Sequence, residues 1–318
     1  MPDHPPVNVP DDAPNAWPYR LAVMASVATF ILILFGGLVT GLGVGLAVPD
    51  WPSTFGHNMF LFPLDKMVGG VFYEHTHRLI GSLVGLATVA LAVALWVAER
   101  RRWLRVLGIV AVALVVVQGV LGGLRVIWLH DGLALVHGIV AQGFFALVVS
   151  LAVVTAKAWR EAQARPPQTG LDSLRRLALL LAGAAYLQVA FGAVLTHTGT
   201  RLDAHLTLAA VVSVLVILVA RRVLAERQRW PDLARTASLL HALWGVQLLL
   251  GAAAYLMRFH GGDAAFGLLV GLAIRVAHRL TGALLLAAAV AVAAWAYRLS
   301  GTAEPVASGV QLPGQATA

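Results

Sequence analysis

The chain has 318 residues, 59% of them hydrophobic and only 12% charged, with a mean hydropathy of +0.81. A soluble domain carries about 25% charged residues, so the composition excludes a soluble globular enzyme and indicates a membrane protein. Cysteine is absent, which excludes disulfides and thiolate-held metals, and the net charge of +8 follows from membrane topology without a nucleic-acid partner.

An acidic, proline-rich stretch from Pro2 to Pro18 comes first. It is not a basic n-region, and the apolar run behind it, Leu21–Val39, is too long for a signal-peptide core, so a retained helix is expected. A long, aromatic-rich outer loop, Gly41 to Phe72, comes next. Its Pro49-Asp50-Trp51-Pro52 segment reads as a rigid interfacial turn with the indole at headgroup level.

Seven further runs of spanning length follow: Leu79–Ala98, Val106–Leu124, Gly132–Ala156, Leu177–Thr196, Ala204–Ala220, Thr236–Met257 and Val276–Tyr297. The basic segment Lys157–Arg176, with Pro166-Pro167, divides the eight into two halves of four. The expected units are a disordered segment 1–18, a first half 19–156, a cytoplasmic linker 157–176, a second half 177–298 and a disordered tail 299–318. The fold class is therefore all-α, a polytopic membrane protein of eight transmembrane helices. Two tandem four-helix bundles are expected, related by a pseudo-two-fold axis along the membrane normal.

With Arg20 taken as cytoplasmic, that side carries 16 of the 23 Lys and Arg residues and the other side seven. The positive-inside rule then places both termini in the cytoplasm.

Four histidines recur at one place in a repeated unit: His77, His137, His205 and His278. In each unit an apolar helix runs out to a small-residue pair (Gly36-Gly37, Gly122-Gly123, Gly192-Ala193, Gly251-Ala252). The chain is expected to turn there, and a returning helix to open with the histidine. Four residues on stands another small side chain, Gly81, Ala141, Ala209 or Gly282, on the same helix face. A flat macrocycle needs that combination of a ring nitrogen for its metal and room for its plane. Without cysteine, imidazole is the obvious soft-metal ligand and covalent haem attachment is excluded. A single intramembrane histidine is more often hydrogen-bonded filler. Four in register predict two bis-histidine haems, His77 with His137 and His205 with His278. A Gln-x-x-x-Gly pattern also recurs, at Gln118, Gln188 and Gln247.

The segment Glu74-His75-Thr76-His77-Arg78 places Glu74 and His77 on one helix face and turns His75 away. Glu74 reads either as an acid, base or substrate-orienting group at the haem edge, or as a surface Glu–Arg pair at a helix start. His278-Arg279 matches His77-Arg78 but lacks the glutamate, which favours one reacting site and one electron-transfer site.

Arg78, Arg125, Arg201, Arg275 and Arg279 lie near the expected ligands on the face poor in positive charge. They read as partners of haem propionates, which puts both haems toward the outer face. His197 could bond a propionate too. His57, His130, His241 and His260 read as structural, with His241 opening a helix on the cytoplasmic side, and His4 lies in the tail. Neither His75 nor His130 takes a role from the sequence.

Gly-Gly-Leu-Val-Thr (36–40), Pro-Asp-Trp-Pro (49–52), Glu-His-Thr-His-Arg (74–78), Gln-Gly-Val-Leu-Gly-Gly (118–123), His-Thr-Gly (197–199) and His-Arg-Leu (278–280) together resemble haem A synthase, over roughly residues 20 to 298. The resemblance implies a plasma-membrane oxidoreductase that converts the C8 methyl of haem O to the formyl of haem A for cytochrome oxidase assembly. It implies haem O as substrate between His77 and His137, Glu74 as catalytic residue, and haem b as cofactor on His205 and His278. Haem O synthase and cytochrome oxidase assembly proteins are the implied partners, besides the bilayer. Some bacterial relatives carry a cysteine pair in the first outer loop; Val48 before Pro49 and the lack of cysteine argue against a thiol step. The alternative reading is a dihaem b-type, quinol-linked electron carrier. A transporter fits less well, since intramembrane charge is sparse away from the histidines.

Overall fold

The computed structural model describes residues 16–162 and 171–300, and these are mostly helical, with one long loop at 42–69 and short connections elsewhere. The ten helices are α1 (Trp17–Gly41), α2 (Gly70–Ala98), α3 (Arg102–Trp128), α4 (Asp131–Thr155), α5 (Lys157–Glu161), α6 (Leu171–Thr198), α7 (Leu202–Ala225), α8 (Pro231–Phe259), α9 (Gly262–Phe266) and α10 (Leu268–Ser300). Eight of them, all but α5 and α9, are long and apolar enough to cross a membrane. With no water to satisfy the backbone in lipid, such stretches can only be helices. The protein is an all-α, multi-pass membrane protein.

The helices outrun the apolar runs of the sequence. α1 begins at Trp17, helped by Pro18 in the first turn, so the last residues of the segment expected to be disordered are helical. α2 begins nine residues before Leu79. The linker expected at 157–176 contains α5 and the start of α6. Pro166-Pro167, His4, the chain up to residue 15 and the tail from residue 301 lie outside the described residues. In the spans, hydroxyls bond back to the carbonyl one turn earlier, as Thr29, Thr88, Ser150 and Ser213 do. This satisfies them without a second helix.

α1 packs on α2 and α4, and α3 closes the ring against α2 and α4. In the same way α6 packs on α7 and α10, with α8 closing the second ring. The two rings meet where α10 and α6 lie on α4, and α10 on α1. α10 is accordingly the most buried span, with Ala283, Leu286, Ala289, Val292 and Ala296 essentially inaccessible. Its small side chains let backbones approach closely, the usual basis of helix association in lipid. Tyr186 of α6 crosses this junction, its hydroxyl donating to the Ile139 carbonyl of α4 at 3.2 Å over the space left by Gly143. Leu83, Leu86, Val93, Leu180, Val214 and Leu249 face outward, as lipid-facing residues should.

Candidate haem sites

The four histidines meet as two pairs. The rings of His77 and His137 have centroids 6.4 Å apart with planes at 72°; those of His205 and His278 are 6.4 Å apart at 76°. The histidines do not open their helices. His77 is the eighth residue of α2, His137 the seventh of α4, His205 the fourth of α7 and His278 the eleventh of α10. Nor do the small-residue pairs mark turns, for each lies inside a continuous helix.

The first glycine of each pair is a seat for an imidazole. A Cβ on Gly36 would stand 3.1 Å from Cε1 of His77, on Gly122 3.5 Å from His137, on Gly192 3.1 Å from His205 and on Gly251 3.0 Å from His278. In every case Nδ1 is the nitrogen nearer the glycine. Each Nδ1 is buried and lacks a partner in hydrogen-bond geometry. The carbonyls of Leu32, Gln118, Gln188 and Gln247, four residues before the glycines, face the rings. A metal-ligating histidine normally directs its second nitrogen at such a carbonyl.

Among the described residues no group of three or more His, Cys, Asp or Glu could hold a bare metal ion. Two imidazoles suit a metal that brings its remaining ligands with it, as a porphyrin iron does. Metal–imidazole bonds of about 2 Å on either side, with the radius of each ring added, reproduce the observed centroid spacing. The orphaned nitrogens, the glycine seats and the spacing all fit a haem at each pair.

The recurring glutamines belong to these sites. The side-chain amides of Gln188 and Gln247 lie 3.4 and 3.3 Å from Nε2 of His205 and His278, and that of Gln118 donates to the His137 carbonyl at 3.2 Å. The Gln247 amide would stand 3.2 Å from a Cβ on Gly282, so the patch expected to be open there is filled by this side chain. The His77 hairpin has Leu32 at the corresponding position, packed toward Gly81.

The first outer loop is fastened over the first pair. Glu74 is 4% exposed. Its Oε1 accepts from Arg78 at 2.7 Å and its Oε2 from the Val48 amide at 2.9 Å. The Arg78 guanidinium also donates to the carbonyls of Val48, Asp50 and Ser53. The Glu–Arg pair is therefore buried and lies one turn inside α2, not on the surface at a helix start. Trp51 packs its indole on Gly123, next to the seat of His137, and Arg125 donates to the Gly45 carbonyl at 2.8 Å.

His75, pointing away from the pair, is buried against Phe62 and bonded to Thr54 at 3.1 Å. Asp50 accepts from Ser53 and from the amides of Phe55 and Gly56. Its partial burial raises the carboxyl, but these hydrogen bonds outweigh that and hold it below the usual 3.8. Between the loop and the end of α3 lies a cleft of about 480 Å³, lined by Leu46, Pro49, Trp51, Val126, Ile127 and Leu129 together with Asp50.

Other expected residues are placed as follows. His130 caps α4, accepting from the Gly132 amide, which gives it the role the sequence left open. His241 lies in the interior of α8 beside Trp244 and does not open the helix. His57 pairs with Thr54 in the loop, and His260 stacks on Tyr255. Arg275 is occupied by both oxygens of Asp263, at 2.9 and 2.8 Å. Arg201 is exposed.

A model of the cytochrome oxidase assembly protein family (COX15-CtaA) matches residues 19–205, more than half of the chain. The chain belongs to this family. Among curated relatives it is similar to the heme A synthases of Shouchella clausii, 27% identical over 191 residues, and Lysinibacillus sphaericus, 29% over 194. These alignments cover 58% and 57% of this chain and 60% and 58% of the relatives. The heme A synthase of Alkalihalophilus pseudofirmus is 32% identical over 132 residues, 40% of this chain and 43% of that protein. The chain thus spans about 60% or less of the length of these relatives. The family match takes in Glu74, His77, His137 and His205; His278 lies beyond it.

The glycine seats are a test of the haem geometry in this family member. Gly251→Val should push His278 out of line and remove haem from the second pair. Gly245→Ala on the same helix, where nothing lies within 4 Å of the added carbon, should keep it. Haem content per purified protein reads the difference; full loading of the valine variant would contradict the seat.

Proposed function

We propose that this protein is a membrane oxidoreductase that converts the C8 methyl of haem O to the formyl of haem A. Haem O is the substrate between His77 and His137, and His205 and His278 hold haem b. Haem b, when bound, supplies electron transfer. The reading rests on one observation above all. The two imidazole pairs match in spacing and seating, yet among the described residues only the first has a buried carboxylate, Glu74, on the helix face of its ligand. Heme A synthases among the relatives support it.

In this account the chain's own groups bind, orient and exclude water. His77 and His137 clamp the substrate from both sides and fix the reacting edge, the positional contribution that converts an encounter into a unimolecular step. Arg78 aims the Glu74 carboxylate and ties the outer loop to α2, while Trp51 covers the His137 side and keeps water out. Glu74 serves as acid or base near the reacting methyl. The first half, 19–156, and the second, 177–298, are a parallel duplication in which one copy kept the reaction and the other the electron relay. Both termini face the cytoplasm, with the sites toward the outer face of the plasma membrane. Haem O synthase would supply the substrate, and cytochrome oxidase assembly proteins would receive the product.

Purified protein supplied with haem O and reductant in air should yield hydroxylated or formyl haem by mass spectrometry. Recovery of unchanged haem O from protein carrying haem at both pairs would refute the activity.

A further inference from the structure

Of the five arginines read as propionate partners, two are fully engaged: Arg78 by Glu74 and three carbonyls, Arg275 by Asp263. Two others are not. Arg125 donates only to the Gly45 carbonyl, and its Nε is buried without a partner. Arg279 makes neither a hydrogen bond nor an ion pair among the described residues. Its guanidinium reaches out of the second ring to α1, where a Cβ on Gly37 would stand 3.4 Å from Nη1. Gly37 adjoins the glycine that seats His77, whereas the backbone of Arg279 adjoins His278. One cation is therefore rooted beside His278 of the second pair, with its guanidinium against α1 of the first ring.

A third group joins them. His197, at the outer end of α6, lies in electrostatic range of Arg279 and Arg125, with the Asp131 carboxylate also near. Arg125 in turn is in range of both His77 and His137. Two guanidiniums and an imidazole, from α3, α10 and α6, thus lie near one another at the outer ends of the two rings. A guanidinium inside a membrane helix with no carboxylate partner is costly, and such a group is kept where an anion comes to it. Arginine forks match carboxylates, and a haem carries two.

We propose that Arg125, His197 and Arg279 form one carboxylate-binding seam shared by the haems of both pairs, with Arg279 of the second half holding a propionate of the first-half haem. The inference rests on the haem reading above. It makes the two haems electrostatically dependent on the same cations. A positive charge beside a haem disfavours the ferric state, so removing one lowers the midpoint potential.

The decisive experiment uses full-length protein carrying His205→Ala, which leaves haem b only in the first pair when ferric haem b is supplied as the probe. In that background Arg279→Gln should shift the remaining haem to a more negative midpoint potential in a spectroelectrochemical titration. Arg279→Lys, which keeps the charge, should recover most of the shift. Loss of the first-half haem in Arg279→Gln, with helical content retained, would support the same conclusion. An unchanged potential and unchanged loading would overturn it. Arg125→Gln in a His77→Ala background asks the reciprocal question of the second-half haem, and no shift there would likewise count against a shared seam. Neither titration needs turnover. Coupled potentials in inactive protein would refute haem O oxidation alone, and independent potentials in active protein would refute the seam alone.

Discussion

Alanine at His205 or His278 is expected to strip the second pair of its haem b and to abolish turnover while the helices stay assembled. On the proposed reading each imidazole would be one of two ligands to the haem; each is held by a glycine seat and faced by a carbonyl that orients it. Among the described residues no other histidine is paired with either ring, so none of them stands ready to replace the lost ligand. The fold should survive because α10 is held along its length by Ala283, Leu286, Ala289, Val292 and Ala296. Truncating a side chain that rests on a glycine leaves a small void, costing about 2–5 kcal/mol by analogy with large-to-small core changes. Haem b content by pyridine haemochrome, alongside haem O turnover, checks the expectation. Haem b retained at wild-type stoichiometry in both variants would remove these residues from the ligand set.

The second large effect is expected at Glu74, and the structure decides which variant is informative. Glu74→Ala would leave Arg78 buried without its carboxylate and the Val48 amide without an acceptor. Breaking a buried ion pair by removing one partner costs about 3–5 kcal/mol, so the loop over the first pair would loosen whatever the residue does chemically. Glu74→Gln keeps the size, and its carbonyl oxygen can still accept from Val48 or Arg78. It removes the charge and the titrating proton. If Glu74 is the acid or base, turnover should fall by about 10²–10⁴-fold, with both haems still bound. Wild-type haem A formation by the glutamine variant would make Glu74 a loop fastener only.

The membrane spans were legible because eight uncharged or nearly uncharged runs leave no other reading. Their ends were not, because apolar content fades before the helix stops. The first turns of α2 carry Glu74 and His75, which the outer loop buries and bonds, so tertiary contacts extend the helix where hydropathy cannot. The histidine register was legible from spacing alone. The seats were misread, since a glycine pair after an apolar run reads as punctuation. Gly36, Gly122, Gly192 and Gly251 instead lie in continuous helix and make room for a ring. The glutamines left a visible pattern without a role, because only three-dimensional placement shows Gln188 and Gln247 against the imidazoles. The sequence marked Arg78 and Arg279 alike. One is consumed by Glu74 and the loop and the other crosses to α1, a difference that no spacing encodes.

The central claim is that the two imidazole pairs hold two haems, one permanent and one a substrate. Haem stoichiometry with mass identification of the extracted haems, on protein purified from cells that make haem O, tests it most directly. The account predicts two haems per chain, one haem b that stays through washing and one haem O or its oxidised product that exchanges. Haem-free protein with intact helical content, or two haem b molecules that never exchange, would contradict it.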